Sequence, residues 1–277
     1  MKILILGSTG LLGHMLFNVF SESSELQVFG TIRNDNLRSC FNENYQKKLL
    51  LEGNLLSDDT IFTLLEKIKP DVVINCISAR NRKNVNLKEM IGALSFFPKQ
   101  LSFLANLFNF KLIHISSDGV FSGVKGNYSE LDIPDPADDY GLAKFLGEDI
   151  SNTSLVLRTT FIGPELIYKE GFFEWFLVQN ECIGYTQYIF SALTTSFLST
   201  FLLETVLNNM NLRGIYHIGS EPISKFDLMQ LIVKKFNKKT KITADDSIKI
   251  NRSLNCNKLK KRVDFSPPKW SDLINEL

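Results

Sequence analysis

The chain has 277 residues, a formal net charge of +1, 44% hydrophobic residues and 22% charged residues. This composition argues against intrinsic disorder and against a polyanion-binding surface, so nucleic acid is not an expected partner. The scattered cysteines and histidines, with no CxxC pair, predict neither a disulfide framework nor a metal site. The apolar start MKILIL reaches glycine too soon for a signal peptide or membrane span, which favours a cytoplasmic protein without membrane contacts.

Short apolar runs alternate with helix-length segments from the amino terminus onward. The runs predict strands at 2–6, 26–32, 48–53, 71–76, 111–116 and 154–158. Between two of them, residues 57–68 begin with Ser57 and continue with apolar residues at helical spacing, which predicts a crossover helix. This alternation is typical of βαβ units, and we expect an α/β fold with a doubly wound parallel sheet buried on both faces.

The alternation weakens after residue 164, where aromatic residues cluster in GFFEWF and GYTQYIF, and a helical pattern returns at 224–237. We interpret 1–164 as mainly a dinucleotide-binding domain. Residues 165–277 then form mainly a smaller substrate-binding lobe, with some segments returning to the main sheet. No repeat or low-complexity linker separates the two parts.

The segment GSTGLLG follows the first predicted strand and opens a predicted helix. Glycines at this place allow a tight turn and let the backbone approach a pyrophosphate at the helix amino terminus. An ordinary glycine turn is the alternative, but the strand before and the helix after favour a Rossmann-type dinucleotide site. The cofactor contacts predicted from this segment are Gly7, Thr9, Gly10, Leu11, Leu12 and Gly13.

Arg33 follows the second predicted strand, where such folds distinguish a ribose hydroxyl from a ribose phosphate. A guanidinium can bind that phosphate with two charge-assisted hydrogen bonds, which favours NADPH. Asp35 keeps NADH open, and a solvent-facing loop arginine is the plain alternative.

A second constellation consists of Ser117, at the end of the strand in HISSDGVFSG, with Tyr140 and Lys144 in DDYGLAKFLGED. The spacing of Tyr140 and Lys144 places both on one helix face, and strand ends of open α/β sheets bind ligands. A phenol with a pKa of ~10 can protonate a carbonyl oxygen near neutrality if an ammonium lowers that pKa. Ser117 would orient the carbonyl oxygen, whereas the alternative is a structural tyrosine beside an exposed lysine.

The segment SSDGVFSG, followed by NYSELDIPDPADDYGLAK, resembles the dTDP-4-dehydrorhamnose reductases among the extended short-chain dehydrogenase/reductases. VLRTTFIG, YHIGSEPISKFDL, RSLNCNKL and PPKWSDLINEL extend the resemblance over nearly the whole chain. It implies NAD(P)H-dependent reduction of the 4-keto group of a nucleotide-activated 6-deoxyhexose for surface polysaccharide synthesis, and it leaves a homodimer open. The catalytic residues it implies are Ser117, Tyr140 and Lys144; further cofactor contacts are Ile77, Ser78, Ala79, Tyr140 and Lys144; substrate contacts are Ser117, Asp118 and Phe161.

Two further substrate contacts, Trp175 and Tyr185, are predicted from the aromatic tract at 172–188. Aromatic faces can cover a nucleotide base and a deoxygenated sugar, so the tract is expected to form one wall of the pocket. For Phe172, Phe173 and Phe176, packing of a helix on the core is the competing interpretation.

Three departures from the family pattern stand out: NCISAR replaces NCAAYT, Gly119 replaces a tyrosine, and Leu94 replaces an asparagine near Lys144. Two other functions stay open at this point. One is a nucleotide-sugar epimerase or dehydratase, which retains the hydride on tightly held NAD. The other is a non-catalytic, NADP-binding regulatory subunit.

Overall fold

The computed structural model describes residues 1–78, 86–148 and 154–277. The strands in chain order are β1 (Lys2–Leu6), β2 (Gln27–Ile32), β3 (Leu49–Leu51), β4 (Val72–Asn75), β5 (Lys111–Ile115), β6 (Ser154–Arg158), β7 (Phe161–Ile162), β8 (Glu181–Tyr185), β9 (Tyr188–Phe190), β10 (Leu193–Thr194), β11 (Gly214–His217), β12 (Ile223–Ser224), β13 (Lys241–Asp245) and β14 (Ile250–Asn251). The helices are α1 (Gly13–Glu22), α2 (Glu43–Gln46), α3 (Asp58–Ile68), α4 (Leu87–Ile91), α5 (Phe97–Phe108), α6 (Asp139–Gly147), α7 (Phe172–Leu177), α8 (Thr195–Phe201), α9 (Lys225–Lys235), α10 (Asn257–Lys260) and α11 (Trp270–Leu273).

The main sheet has seven strands in the order β11-β6-β5-β4-β1-β2-β3, and all of its paired neighbours are parallel. The chain reverses its direction of travel across the sheet between β1 and β4, which is the point where open α/β sheets bind ligands. The predicted doubly wound α/β fold is therefore confirmed. The six predicted strands are present as β1 to β6, and the predicted crossover helix is α3.

Alternate side chains of β1 enter two cores on opposite faces of the sheet. Ile3 and Ile5 pack in one core with Phe17 of α1, whereas Leu4 and Leu6 pack in the other with Ile61 of α3. Both faces are therefore covered, which explains why the central strands have apolar runs rather than an apolar–polar alternation.

The part of the chain after residue 164 supplies strands both to the main sheet and to smaller separate sheets. β11 extends the main sheet beyond β6, while β12, β9 and β14 form a separate three-stranded sheet and β13 pairs with β8. The predicted division at 164/165 stays a prediction. In the described ranges, no helix has the length and apolar character needed to cross a bilayer.

Candidate active site

The glycine turn between β1 and α1 has the geometry of a phosphate cradle. Gly7 has φ +82°, and a Cβ on Gly13 would lie 2.1 Å from the Gly7 carbonyl oxygen. No side chain caps α1, and its first turn carries no acidic residue. The amino end of α1 therefore has neither a side-chain cap nor a negative charge that would compete with an anion, and the glycine turn is compatible with the pyrophosphate of a nicotinamide dinucleotide.

The end of β2 is bound to this turn. Thr31 Oγ1 accepts a hydrogen bond from Gly7 N at 3.0 Å, and Ser8 N donates to Thr31 O at 3.1 Å. Arg33 follows two residues later and is exposed. The carboxylate of Asp35 accepts two hydrogen bonds from Arg38, at 2.9 and 2.7 Å. The acid that would favour NADH is thus bound to a neighbouring arginine.

Ser117 and Tyr140 converge beside Gly119. Ser117 Oγ accepts a hydrogen bond from Gly119 N at 3.0 Å, and a Cβ on Gly119 would lie 3.2 Å from that oxygen and 3.6 Å from Tyr140 Cε1. Asp118, between them in sequence, donates from its backbone N to Thr159 O at 3.2 Å. Because residue 119 is glycine, no Cβ occupies the position close to both the serine hydroxyl and the tyrosine ring.

Helix α6, which carries Tyr140 and Lys144, packs very closely on this turn. Asp138 caps α6 by accepting a hydrogen bond from Gly141 N at 2.7 Å. A Cβ on Gly141 would lie 2.1 Å from Gly119 O, so the approach requires glycine. Lys144, one helical turn after Tyr140, donates from Nζ to Ile115 O at 2.9 Å, which brings the predicted triad together at the carboxyl end of β5.

Two titratable side chains that interact electrostatically with Lys144, Cys76 and His114, are uncharged near neutral pH. Burial raises the pKa of the Cys76 thiol to about 12, against the opposing effect of Lys144. Burial also holds the pKa of His114 well below its ordinary value, and the positive charge of Lys144 adds to that effect. Neither side chain therefore adds a negative or a positive charge to the lysine's surroundings.

The departure at Leu94 falls in a π-helical turn, Gly92–Phe96, between α4 and α5. Leu94 is fully buried against Tyr140 and Ala143. The next residue, Ser95, donates a hydrogen bond to Ala143 O at 2.8 Å. A polar contact to the backbone of α6 is thus made by Ser95, one position after the family's asparagine.

The other predicted cofactor contacts lie after β4. Ile77 N donates to Asn75 Oδ1 at 3.1 Å, and Ile77 Cγ1 would lie 3.2 Å from a Cβ on Gly7. Ile77 therefore lies against the glycine turn, and Ser78 follows it as an exposed residue. Ala79 lies outside the described residues.

The aromatic tract divides between packing and exposure. Phe173 and Phe176 are buried in the core that covers the main sheet, and Phe172 packs against it. Trp175 is 42% exposed, with its ring centroid 6.0 Å from that of Phe172. Phe173 and Phe176 therefore pack on the core, as the alternative to a substrate contact predicted.

The remaining two predicted substrate contacts lie on strands. Phe161 lies in β7 and packs partly on the same core. Tyr185 ends β8, opposite Asp245 of β13, and is half-buried. No described contact joins either of them to Ser117 or Tyr140, and their roles stay predictions.

A buried ion pair that the sequence analysis did not predict lies beside the candidate site and links β6 to the end of α6. Arg158 binds Glu148 with both side chains almost fully buried, at 2.7 Å between Nη2 and Oε2. Glu148 directly follows α6, and its Oε1 accepts a hydrogen bond from Ser116, the residue before Ser117, at 2.5 Å. The signal was an arginine at the end of an otherwise apolar strand, which needs an acidic partner when buried.

The whole chain, residues 1–277, matches the family model described as RmlD substrate binding domain. A dTDP-4-dehydrorhamnose reductase of Aggregatibacter actinomycetemcomitans is 27% identical over 245 residues, which are 82% of this chain and 76% of that protein. A methionine adenosyltransferase 2 subunit beta of Danio rerio is 27% identical over 251 residues, 85% of this chain and 74% of that protein.

Solved structures share the fold. The dTDP-4-dehydrorhamnose reductase of Bacillus anthracis in complex with NADP superposes with a TM-score of 0.81 at 20% identity, covering 99% of this chain and 97% of that one. The dTDP-glucose 4,6-dehydratase of the same organism in complex with NAD gives 0.80 at 15% identity, covering 100% and 94%. Because the family model spans the sequence from end to end, the chain belongs to the RmlD substrate binding domain family.

Proposed function

We propose that this protein uses NADPH to reduce the 4-keto group of a nucleotide-activated 6-deoxyhexose, in a route to surface polysaccharide. The observation that carries the proposal is the convergence of Ser117 and Tyr140 beside Gly119, with Lys144 one turn after Tyr140 in α6. The reductase relative from Aggregatibacter actinomycetemcomitans supports the same activity.

In the proposed reaction, the bound cofactor supplies a hydride to the carbonyl carbon. Tyr140 donates its phenolic proton to the carbonyl oxygen, and Ser117 holds that oxygen with a hydrogen bond. The ammonium of Lys144 favours the phenolate that remains on Tyr140. Asp118, next to Ser117 and mostly buried, is proposed to contact the sugar, as are Phe161, Trp175 and Tyr185.

The preference for NADPH rests on the surroundings of Arg33. Arg33 is exposed at the end of β2, where it can reach a ribose phosphate, while Asp35 is bound by Arg38. The glycine turn, with Thr9, Leu11 and Leu12 between its glycines, would hold the pyrophosphate. Ile77 and Ser78 would lie beside the cofactor.

A regulatory role is the second candidate, because a methionine adenosyltransferase 2 subunit beta is as similar as the reductase. An epimerase or dehydratase is the third, because the dehydratase structure shares the fold. Release of stoichiometric NADP⁺ would separate a reductase from both, since a regulatory subunit consumes no NADPH and an epimerase or dehydratase regenerates its NAD.

The test is NADPH oxidation measured with a panel of dTDP-, UDP- and GDP-linked 4-keto-6-deoxy sugars, with product analysis. We expect oxidation with at least one sugar and a reduced C4 hydroxyl in the product. NADPH binding without oxidation by any member of the panel would favour the regulatory candidate. The cytoplasmic location and the homodimer stay predictions.

A further inference from the structure

The residue before Ser117 is hydrogen-bonded to the far end of α6. Ser116 Oγ donates to Glu148 Oε1 at 2.5 Å, and Glu148 directly follows the helix. One turn earlier, Lys144 Nζ donates to Ile115 O at 2.9 Å. Two successive residues at the end of β5 therefore bind two side chains that are one helical turn apart.

These two contacts determine how α6 lies against the end of β5. Side chains four residues apart lie on the same face of a helix, so Tyr140 shares the face of Lys144 and meets Ser117 one turn before it. The contact at Glu148 is the one farthest from Tyr140 along α6. Its loss would allow the helix to shift or rotate, and the tyrosine would then move relative to Ser117.

Arg158 holds the Glu148 carboxylate in a defined orientation. Its Nη2 lies 2.7 Å from Oε2, and its Nε lies 2.9 Å from Oε1, the oxygen that also accepts from Ser116. Arg158 ends β6, which pairs in parallel with β5. Because a planar guanidinium that binds both oxygens restricts the rotation of a carboxylate, the acceptor for Ser116 has a fixed place.

The ion pair is buried where its geometry has a use. The two side chains are 2% and 3% exposed, and the guanidinium carbon lies 5.1 Å from the centroid of the Phe121 ring. Removal of two charges from water is costly, and apolar residues of similar volume often stabilise a fold equally well. The hydrogen bond from Ser116 joins this pair to the strand that carries Ser117, so a role in positioning accounts for a pair that stability alone does not require.

We propose that Glu148 is a positioning residue: its contacts with Arg158 and Ser116 set α6 against β5, so that Tyr140 and Ser117 act on one carbonyl oxygen. The proposal rests on the proposed function, because it takes these two residues to bind that oxygen. Glu148 and Ser116 act through them rather than on the substrate. A displacement of a reacting group by about 1 Å is enough to lower a rate by about one hundredfold.

The experiment measures steady-state NADPH oxidation by Ser116→Ala, Glu148→Gln and the double variant, with saturating NADPH and the sugar that the panel identifies. Ser116→Ala removes only the hydroxyl, and Glu148→Gln keeps the side-chain shape and removes its charge. We expect each to lower kcat by about ten- to one-hundredfold, with KM for the sugar near wild type. The double variant should lose no more than Glu148→Gln alone, whereas losses that multiply would overturn the link between the two residues.

Ser102→Ala is the matched control. The hydroxyl oxygens of Ser102 and Ser154 lie 2.8 Å apart in a buried hydrogen bond between α5 and β6. Its loss should lower the free energy of unfolding but leave kcat unchanged. Ser116→Thr, which keeps a hydroxyl, should retain kcat within about threefold of the wild type. Urea unfolding establishes conditions in which every variant is folded. An equal loss of kcat in Ser116→Ala and Ser102→Ala would overturn the positioning role.

A binding measurement without sugar separates this proposal from the proposed function. Tyr140 and Lys144 are also proposed cofactor contacts, so a displaced α6 should weaken NADPH in Ser116→Ala by about three- to tenfold. Adenosine 2′,5′-bisphosphate, which lacks the nicotinamide half, should bind as in the wild type. Calorimetry measures both affinities.

The outcomes differ for the two proposals. Selective weakening of NADPH in Ser116→Ala, in a protein that oxidises no NADPH with the sugar panel, would keep the positioning role and overturn the reductase. Wild-type kcat and NADPH affinity in Ser116→Ala, beside an active wild type, would overturn the positioning role and keep the reductase. Unchanged affinity in an inactive protein would overturn both.

Discussion

Two buried lysines lie at opposite ends of β5, and only one of them belongs to the candidate active site. Lys111, at the amino end of the strand, donates from Nζ to the carbonyl oxygens of Met210 and Leu212. Lys144, from α6, donates to Ile115 O at the carboxyl end. Both side chains are almost fully buried, so burial of a lysine does not by itself mark a site.

The surroundings make the difference. At the carboxyl end, the turns that follow β1 and β5 bring the glycine cradle, Ser117 and Tyr140 to one edge of the sheet. At the amino end, Lys111 meets the carbonyls that close the segment before β11, and the bonds hold that segment to the sheet. Of the two lysines, the one in the candidate site is therefore the one at the carboxyl ends of the parallel strands, where open α/β sheets bind ligands.

The largest expected effect follows from Tyr140→Phe, which removes the proposed proton donor at the carboxyl end. Turnover should fall by about two to four orders of magnitude, the usual range for loss of a general acid, while NADPH binding stays near wild type. Steady-state NADPH oxidation and cofactor titration measure the two quantities. Tyr45→Phe is the control, since Tyr45 also lies near a lysine, Lys48, but on another part of the surface. Wild-type turnover in Tyr140→Phe would remove Tyr140 from the mechanism.

The buried Arg158–Glu148 pair should dominate the stability of this same edge. Arg158→Met leaves the Glu148 carboxylate buried without its partner and should lower the free energy of unfolding by about 3–5 kcal/mol. The exposed pair of Arg38 and Asp35 is the control. Asp35→Asn should change the free energy of unfolding by less than about 1 kcal/mol. Urea unfolding measures both. If both substitutions lowered the free energy of unfolding equally, burial would not be what makes the Arg158–Glu148 pair important for stability.

Arg33→Ala tests the cofactor edge of the site. NADPH affinity should weaken by about 1–3 kcal/mol, the range for hydrogen bonds to charged groups, with a much smaller change for NADH. Arg262→Ala, which removes another exposed arginine, should change neither affinity. If Arg33→Ala weakens the affinity for NADPH and for NADH equally, the arginine does not recognise the ribose phosphate.

The smallest effect on activity is expected at the amino end, for Lys111→Met. Burial lowers the pKa of Lys111 from 10.5 to about 7, and Arg213 adds to the shift. Between these two values the unfolded chain binds a proton that the folded protein does not, so the wild type gains stability from this residue as pH rises from 7 toward 10.5. Lys111→Met lacks this gain, whereas its turnover should stay near wild type.

Urea unfolding at pH 7 and at pH 9.5 compares Lys111→Met with the exposed-lysine control Lys47→Met. The stability of Lys111→Met relative to the wild type should fall at the higher pH, and that of the control should not change. A pH-independent difference for Lys111→Met would show that its two carbonyl partners keep the lysine charged in the folded protein throughout this range.

The sequence by itself determined the elements that are set by near neighbours. The apolar runs predicted β1 to β6, and the glycine spacing predicted the turn at Gly7, because tight turns and strand burial depend on residues a few positions apart. The i to i+4 spacing of Tyr140 and Lys144 likewise needs only a helix. Their meeting with Ser117 followed from a general property of parallel sheets, in which carboxyl ends share one edge.

Only the tertiary structure decided the contacts between distant segments. Phe173 and Trp175 are two positions apart in one aromatic tract, yet the first is buried and the second exposed, since the difference depends on which face of α7 meets the core. Arg158 at the end of β6 pairs with Glu148 after α6, and strand pairing brings Lys225 and Arg252 to either side of β9. Charges can be read from a sequence, but which of them are buried and which partners they meet is decided by tertiary packing.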